Sequence, residues 1–170
     1  VFLSIASMVF GAVAAIGQKN LKRLIAYSSI GHMGYALAGL AAGTNLGIQS
    51  SITYITIYIV MNLGLFSCLL MMKRNDRYYE NIEDLSGLSK NHPLLSLSMM
   101  IILFSLAGIP PLAGFFAKFY IFTAVIEQSM YFLAIIGLLS AVISAFYYLR
   151  IIKIIYFDLE KEKYDTDYNM

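Results

Sequence analysis

Apolar residues along the chain come in five long runs separated by polar stretches. They are Val1 to about Gly17, Leu24 to about Ala42, about Ile48 to Met72, Leu94 to about Ile126, and about Met130 to Phe157. A helix needs roughly 20 apolar residues to cross a hydrocarbon core of about 30 Å, so each run reads as a membrane span. The first is a little short, and Val1 already stands inside it, as in a piece continuing from something longer. The polar segment 73–93 divides the third run from the fourth. Within it Ile82, Leu85 and Leu88 recur every third residue, which predicts a short helix lying at the membrane interface. A charged tail, Asp158 to Met170, follows the fifth run.

The fourth run is too long for one straight span. At about 1.5 Å per residue it would reach about 50 Å. Gly108-Ile109-Pro110-Pro111 interrupts it, and proline removes a backbone donor and clashes with the preceding turn. The pattern therefore predicts an all-α, polytopic membrane bundle of five spans, spanning residues 1–157, with the fourth broken at Gly108–Pro111 into two half-helices.

Composition sharpens this reading. The 170 residues are 59% hydrophobic and 13% charged, with mean hydropathy +0.72; ordinary soluble domains are roughly 45–50% apolar. The net charge of +2 does not suggest a nucleic-acid surface, because the basic residues lie between the apolar runs. Cys68 is the single cysteine, so there is neither a disulfide framework nor a cysteine-based metal site. No secretory signal pattern is present. Basic residues alternate from one turn to the next. Lys19, Lys22 and Arg23 follow the first run, Lys73, Arg74, Arg77 and Lys90 the third, and Arg150, Lys153, Lys161 and Lys163 the end of the fifth. The turns after the second and fourth runs hold none. Five spans with their basic side toward the cytoplasm, or the mitochondrial matrix, would give this alternation.

Against that background a few residues stand out as chemistry. Lys118 follows the break with no acidic neighbour in sequence, about eight residues or roughly 12 Å from the end of its run. Its plain reading is a lysine that snorkels to the interface, but the stem does not cover that depth. A charge within a span is by default a functional site, and an amine can take up and release a proton. Gly108, Pro110, Pro111 and Gly114 could form a packing kink. Coinciding with the only mid-membrane lysine, they read better as a broken helix at an ion site. His32 stands two turns into the second run among Ser28, Ser29 and Tyr35. It is either a packed histidine or a proton carrier with hydroxyls as relays. His92, beside Pro93, reads as a cap or surface residue, and Glu127 as the solvated end of the fourth run. Ile82, Glu83, Asp84 and Leu85 read as a surface or partner-contacting helix. The 9 Met, 13 Tyr and 11 Phe read as packing and lipid-facing side chains. Gly39 and Gly43 suggest a close helix contact. No phosphate-binding glycine loop, paired carboxylates, nucleophile triad or haem ligand pair is recognisable, so the chain itself is expected to carry out no redox step and to bind no metal or cofactor.

Three segments carry a resemblance to a known family. They are Gln18-Lys19-Asn20-Leu21-Lys22-Arg23-Leu24-Ile25-Ala26-Tyr27-Ser28-Ser29-Ile30-Gly31-His32-Met33-Gly34-Tyr35, then Ile82-Glu83-Asp84-Leu85-Ser86-Gly87-Leu88, and Ser105 to Tyr120. Together they resemble the antiporter-like membrane subunits of respiratory complex I, which contain two inverted five-helix repeats, each with one broken helix. The chain looks like the second repeat; the first repeat, with its other lysines and glutamate, has no counterpart here. The resemblance implies a proton-translocating subunit in a bacterial cytoplasmic or mitochondrial inner membrane. Its partners would be other membrane subunits of complex I and the lipid bilayer. Lys118 would exchange protons along a hydrated axis, with His32 and the hydroxyls of Ser28, Ser29 and Tyr35 linking that axis to a half-channel. NADH, FMN, iron–sulfur clusters and quinone would belong to partner subunits.

Two alternatives stay open. One is a subunit of a multisubunit cation/proton antiporter, and the other a structural helical bundle in which Lys118 only pairs with a neighbour. The five-span reading makes a prediction of its own. Cysteines placed at Lys22, Arg74 and Lys161 should label from one side of the membrane, and those at Thr44 and Gln128 from the other. Labelling of positions 22 and 74 from opposite faces would end it.

Overall fold

The computed structural model describes residues 1–74, 77, 78 and 80–159. Helices dominate: α1 (Phe2–Ile16), α2 (Leu21–Ala41), α3 (Asn45–Leu70), α4 (Leu88–Asn91), α5 (Pro93–Ala107), α6 (Ala113–Glu127) and α7 (Tyr131–Phe157). After α3 comes a two-stranded antiparallel hairpin, β1 (Lys73–Arg74) with β2 (Arg77–Tyr78), and then a 3₁₀ turn over Ile82–Leu85. Lys161, Lys163 and the tail from residue 160 onward lie outside the described residues.

The helix ends follow local chemistry. Asn20 caps α2 by accepting from the Arg23 N–H at 3.0 Å, and Thr44 caps α3 by accepting from the Gly47 N–H at 3.0 Å. Pro93 opens α5, where its missing N–H costs nothing. α3 and α7, of 26 and 27 residues, are long and apolar enough to cross a membrane. α5 and α6 have 15 residues each, about 22 Å, short of a full crossing on their own.

Several polar side chains face inward, and many large apolar ones face outward. Ser4, Ser28, His32, Ser50, Ser51, Ser96, Ser105, Lys118, Ser140 and Ser144 are buried, whereas Ile52, Val60, Leu63, Val142 and Phe146 are exposed. Helices that are apolar all round and polar within suit lipid rather than water as the surrounding medium. Buried serines turn their hydroxyls onto backbone. Ser4 donates to the Gly34 carbonyl at 2.7 Å, and Ser51 to the Ala36 carbonyl at 2.8 Å.

Small residues let the helices approach. A Cβ on Gly11 would meet the Gly31 backbone, and one on Gly34 would meet Met8, so α1 and α2 touch backbone to backbone. Gly39 meets Gly47 and Ser51 of α3. Gly43 contributes no such contact; it occupies a left-handed turn at φ +67° in open space. The close pair across α2 and α3 is therefore Gly39 with Gly47, which sequence spacing within one helix cannot show.

Two apolar clusters fill the interior. One, at the end carrying Lys19, Lys22 and Arg23, holds Leu24, Leu65, Met99, Leu103, Ile151 and Ile155. The other holds Met8, Tyr35, Ile121, Val125 and Leu133. Ile82, Leu85 and Leu88 are 1%, 0% and 1% exposed and belong to the first cluster. The segment expected to lie on the membrane interface packs these three side chains into the end of the bundle. Its three-residue spacing is that of a 3₁₀ turn, which aligns Ile82 and Leu85 on one side, and the left-handed Gly87 then turns the chain into α4.

This segment is pinned to the α1–α2 turn. The Leu21 N–H donates to the Glu80 carbonyl at 2.7 Å, and the Ile82 N–H to the Lys19 carbonyl at 2.8 Å. Lys22 Nζ lies 2.5 Å from Glu80 Oε1, and Asn20 Nδ2 donates to Oε2 at 3.2 Å. Arg150 reaches the Ile16 carbonyl at 3.4 Å. The described basic residues of the first turn and of α7 thus share one end of the bundle.

Hydrogen bonds from Lys22 and Asn20 hold the Glu80 carboxyl below its usual range. A lowered folded value means that the pair supports the docked segment above the ordinary glutamate range, and that the support is lost as pH falls through the folded value. Amide exchange at Leu21 and Ile82, corrected for intrinsic rate, should accelerate on acidification into that window. Glu80→Gln should remove the dependence. Equal pH dependence in both proteins would contradict the linkage.

Candidate functional site

The site is built on the break between α5 and α6. A helix ends with four carbonyls lacking intrahelical partners, and in lipid each would be costly. Here those of Phe104 to Ala107 are all engaged. The Gly108 N–H donates to the Phe104 and Ser105 carbonyls at 3.1 and 3.0 Å, and the Ile109 N–H returns to Phe104 at 3.1 Å. Gly108 makes this possible by adopting φ +87°. The remaining two carbonyls, Leu106 and Ala107, both accept from Lys118 Nζ at 3.1 Å.

The donors of the break are equally well placed. Pro110 and Pro111, joined by a cis peptide, have no N–H to satisfy. The Leu112 N–H donates to the Ile109 carbonyl at 3.2 Å, and the Gly114 N–H to Ser105 Oγ at 3.0 Å. Gly114 crosses so near α5 that a Cβ would overlap the Ser105 carbonyl. At Gly108 a Cβ would meet the Lys118 chain 3.1 Å away. Glycine therefore serves at both positions, once for left-handed backbone and once for close approach.

Lys118 is 6% exposed and makes no ion pair among the described residues. Its ammonium is held by the negative end of α5 and by the Tyr35 ring, whose centroid is 5.3 Å from Nζ. One turn of α6 lies between Gly114 and Lys118, so the residue that fixes the crossing also fixes the lysine. A small gap lies beside it, lined by Lys118, Ser105, Gly114, His32, Tyr54 and Met61, with no room for a water molecule.

His32 faces this gap from α2. Its Nδ1 is 2.7 Å from the Tyr54 hydroxyl of α3, and its Nε2 is 3.1 Å from the Tyr148 hydroxyl of α7. Its ring stacks on Tyr58 at 4.6 Å. Ser28 Oγ makes a short hydrogen bond to Tyr148 and accepts from Tyr147 at 3.1 Å. Ser29 accepts from Tyr58 at 2.6 Å and donates to the Ile25 carbonyl at 2.8 Å.

The sequence-predicted residues therefore divide. Lys118, His32 and Gly114 meet around one gap, Gly108 lies against the Lys118 chain, Ser28 connects to His32 through Tyr148, and Ser29 ends on a backbone carbonyl. Tyr35 presents its ring to the lysine, while its hydroxyl donates to the Gly137 carbonyl at 3.0 Å, away from His32. His92, between α4 and α5, accepts at its carbonyl from Ser96 and takes no part; Glu127 is the exposed last residue of α6. Tyr54, Tyr58, Tyr147 and Tyr148, read from sequence as packing or lipid-facing, are site residues by position. The available signal was spacing. Ser28, His32 and Tyr35 share one face of α2, and Tyr54 and Tyr58 share one face of α3.

Residues 1–144 match the transmembrane family described as NADH:quinone oxidoreductase/Mrp antiporter. The chain belongs to that family. It is 81% identical over its whole length to NADH-quinone oxidoreductase subunit N of Pelagibacter ubique (strain HTCC1062), of which it covers 36%. Among solved structures, it superposes with TM-score 0.78 and 34% identity on a chain of respiratory complex I from Thermus thermophilus with bound aureothin, covering 96% of this chain and 37% of that one. A chain of the Mrp complex from Dietzia sp. DQ12-45-1b gives TM-score 0.85 at 26% identity, covering 98% and 30%. The chain spans about a third of the length of the curated relatives it matches.

Both glycines of the break can be tested in the full subunit. Gly114→Ala drives a Cβ into backbone and should destabilise by about 1–3 kcal/mol. Gly108→Ala confronts the flexible lysine chain and the left-handed backbone cost of about 1–2 kcal/mol. Thermal unfolding in detergent should show both below wild type; a Gly114→Ala protein melting like wild type would refute the close crossing.

Proposed function

We propose that this chain is the lysine-bearing repeat of a subunit N-type membrane subunit of NADH:quinone oxidoreductase, translocating protons through Lys118 as quinone is reduced in other subunits. The observation that carries the proposal is the way Lys118 is bound. An ammonium has three N–H donors, and two are used by the Leu106 and Ala107 carbonyls. A neutral amine keeps two donors and gains a lone pair. Both carbonyls thus stay capped whether or not the proton is present, and the broken helix survives each cycle.

His32 supplies a second proton-exchanging group on the same gap. The path runs from the basic end of the bundle toward Lys118, and the gap between them must admit water before a proton crosses. NADH, FMN, iron–sulfur clusters and quinone are held by partner subunits, and this chain performs no redox step. Its setting is the bacterial cytoplasmic membrane, with five spans in which α5 and α6 share one. The 81% identity to a subunit N supports this assignment. The likeness to the Mrp complex chain supports a second reading, a subunit of a cation/proton antiporter. Gene order beside other respiratory subunits, or its absence, separates the two.

The test is made in the intact complex, reconstituted in vesicles. Lys118→Ala removes the exchanging group, and water entering the vacated space can bond the two carbonyls, so assembly should persist. Lys118→Arg retains donors for the carbonyls but stays protonated. Both should assemble with reduced proton pumping per electron and with a variable loss of quinone reductase activity. Wild-type pumping by both would make Lys118 a structural cap and nothing more.

A further inference from the structure

Around His32 the hydrogen bonds form one continuous chain that the lysine mechanism does not yet use. The Tyr147 hydroxyl donates to Ser28 Oγ. Ser28 Oγ adjoins the Tyr148 hydroxyl, which reaches His32 Nε2 at 3.1 Å. His32 Nδ1 meets the Tyr54 hydroxyl at 2.7 Å, and Tyr54 lines the gap beside Lys118. Every contact is between groups that both donate and accept. Ser28 lies one turn nearer than His32 to the end bearing Lys22 and Arg23. Tyr147 lies one turn before Arg150, which bonds the Ile16 carbonyl at that same end. The chain therefore runs from the buried Tyr147, one turn inside the basic end of the bundle, to the gap.

We propose that Tyr148 is the relay residue joining His32 to the basic side, at the centre of a proton path through Tyr147, Ser28, Tyr148, His32 and Tyr54. This rests on the proton-carrying reading of Lys118. A proton arriving at the Tyr147 hydroxyl displaces that group's own proton to Ser28. Ser28 passes its proton to Tyr148, Tyr148 passes its proton to His32 Nε2, and His32 releases the Nδ1 proton to Tyr54. Each hydroxyl takes one proton and gives up another, so none ends charged, and His32 ends as the other tautomer. Once the gap admits water, Tyr54 delivers its proton through that water to the amine of Lys118. Tyr148 is the member that cannot be bypassed, because among the described residues it alone bonds both Ser28 and His32. It also holds the Nε2 side of the ring in place while Tyr54 holds the other.

Tyr148→Phe removes only the hydroxyl and keeps the ring that packs on Tyr147 at 4.7 Å. In inverted vesicles containing the intact complex, the initial rate of proton uptake per NADH oxidised should fall severalfold, with normal assembly. Ser28→Ala should give the same loss, and Ser28→Thr, which restores a hydroxyl, should recover most of it. The double variant should be no worse than either single one, since both cut one path. Ser4→Ala, which deletes an equally buried hydroxyl outside the path, should pump like wild type. Should Tyr148→Phe not assemble, the Ser28 pair decides. Wild-type pumping in Tyr148→Phe or Ser28→Ala, or losses that multiply in the double variant, overturns the relay. Lys118→Ala in the same assay separates the two claims: loss there without loss in the relay variants refutes the relay alone, and wild-type pumping there refutes the reading beneath it.

Discussion

The contact on which the site depends is the grip of one amine on two carbonyls. Interrupting a helix inside lipid leaves backbone groups that have no water to turn to, and the sequence offers few side chains able to reach them. Lys118 reaches both. Cost and remedy are mutual: the charge is tolerated because the helix end is negative, and the helix end is tolerated because the charge is there. Gly108, the proline pair and the Ser105 hydroxyl contribute further, by turning N–H groups back onto α5, by lacking donors, and by accepting from the Gly114 N–H.

The same constraint explains how the interior is arranged. Apolar clusters fill both parts of the interior, and between helices α2, α3 and α7 the side chains of Ser28, His32, Tyr54, Tyr147 and Tyr148 satisfy one another. Tyrosine suits this setting, because its ring packs like a hydrophobic side chain while its hydroxyl finds a partner. His32 receives such partners from two neighbouring helices, by hydrogen bonds from α3 and α7 and by stacking on α3.

The broken helix could be read in the sequence because length and proline both act locally. The expected interruption near Gly108–Pro111 is the one observed, between Ala107 and Ala113. Lys118 stood out as a charge in an apolar run. Its cap role did not, since partners twelve and eleven residues away depend on how two half-helices cross. The tyrosines were harder still. Tyr148 is separated from His32 by 116 residues, and a helix apolar on every face gives no stripe to show which side turns inward. For Ile82, Leu85 and Leu88 the three-residue apolar spacing marked one face but not what that face meets, which is the interior of the bundle.

The dry gap beside Lys118 also bears on leakage. An energised membrane imposes about 2.3 kcal/mol on each charge per 100 mV, and any unbroken conductor across it would run that gradient down. The gap between the walls that carry His32 and Lys118 has no space for a file of water. On the proton-carrying reading proposed above, such a gap opposes leakage, because a charge could cross it only after the walls had moved apart.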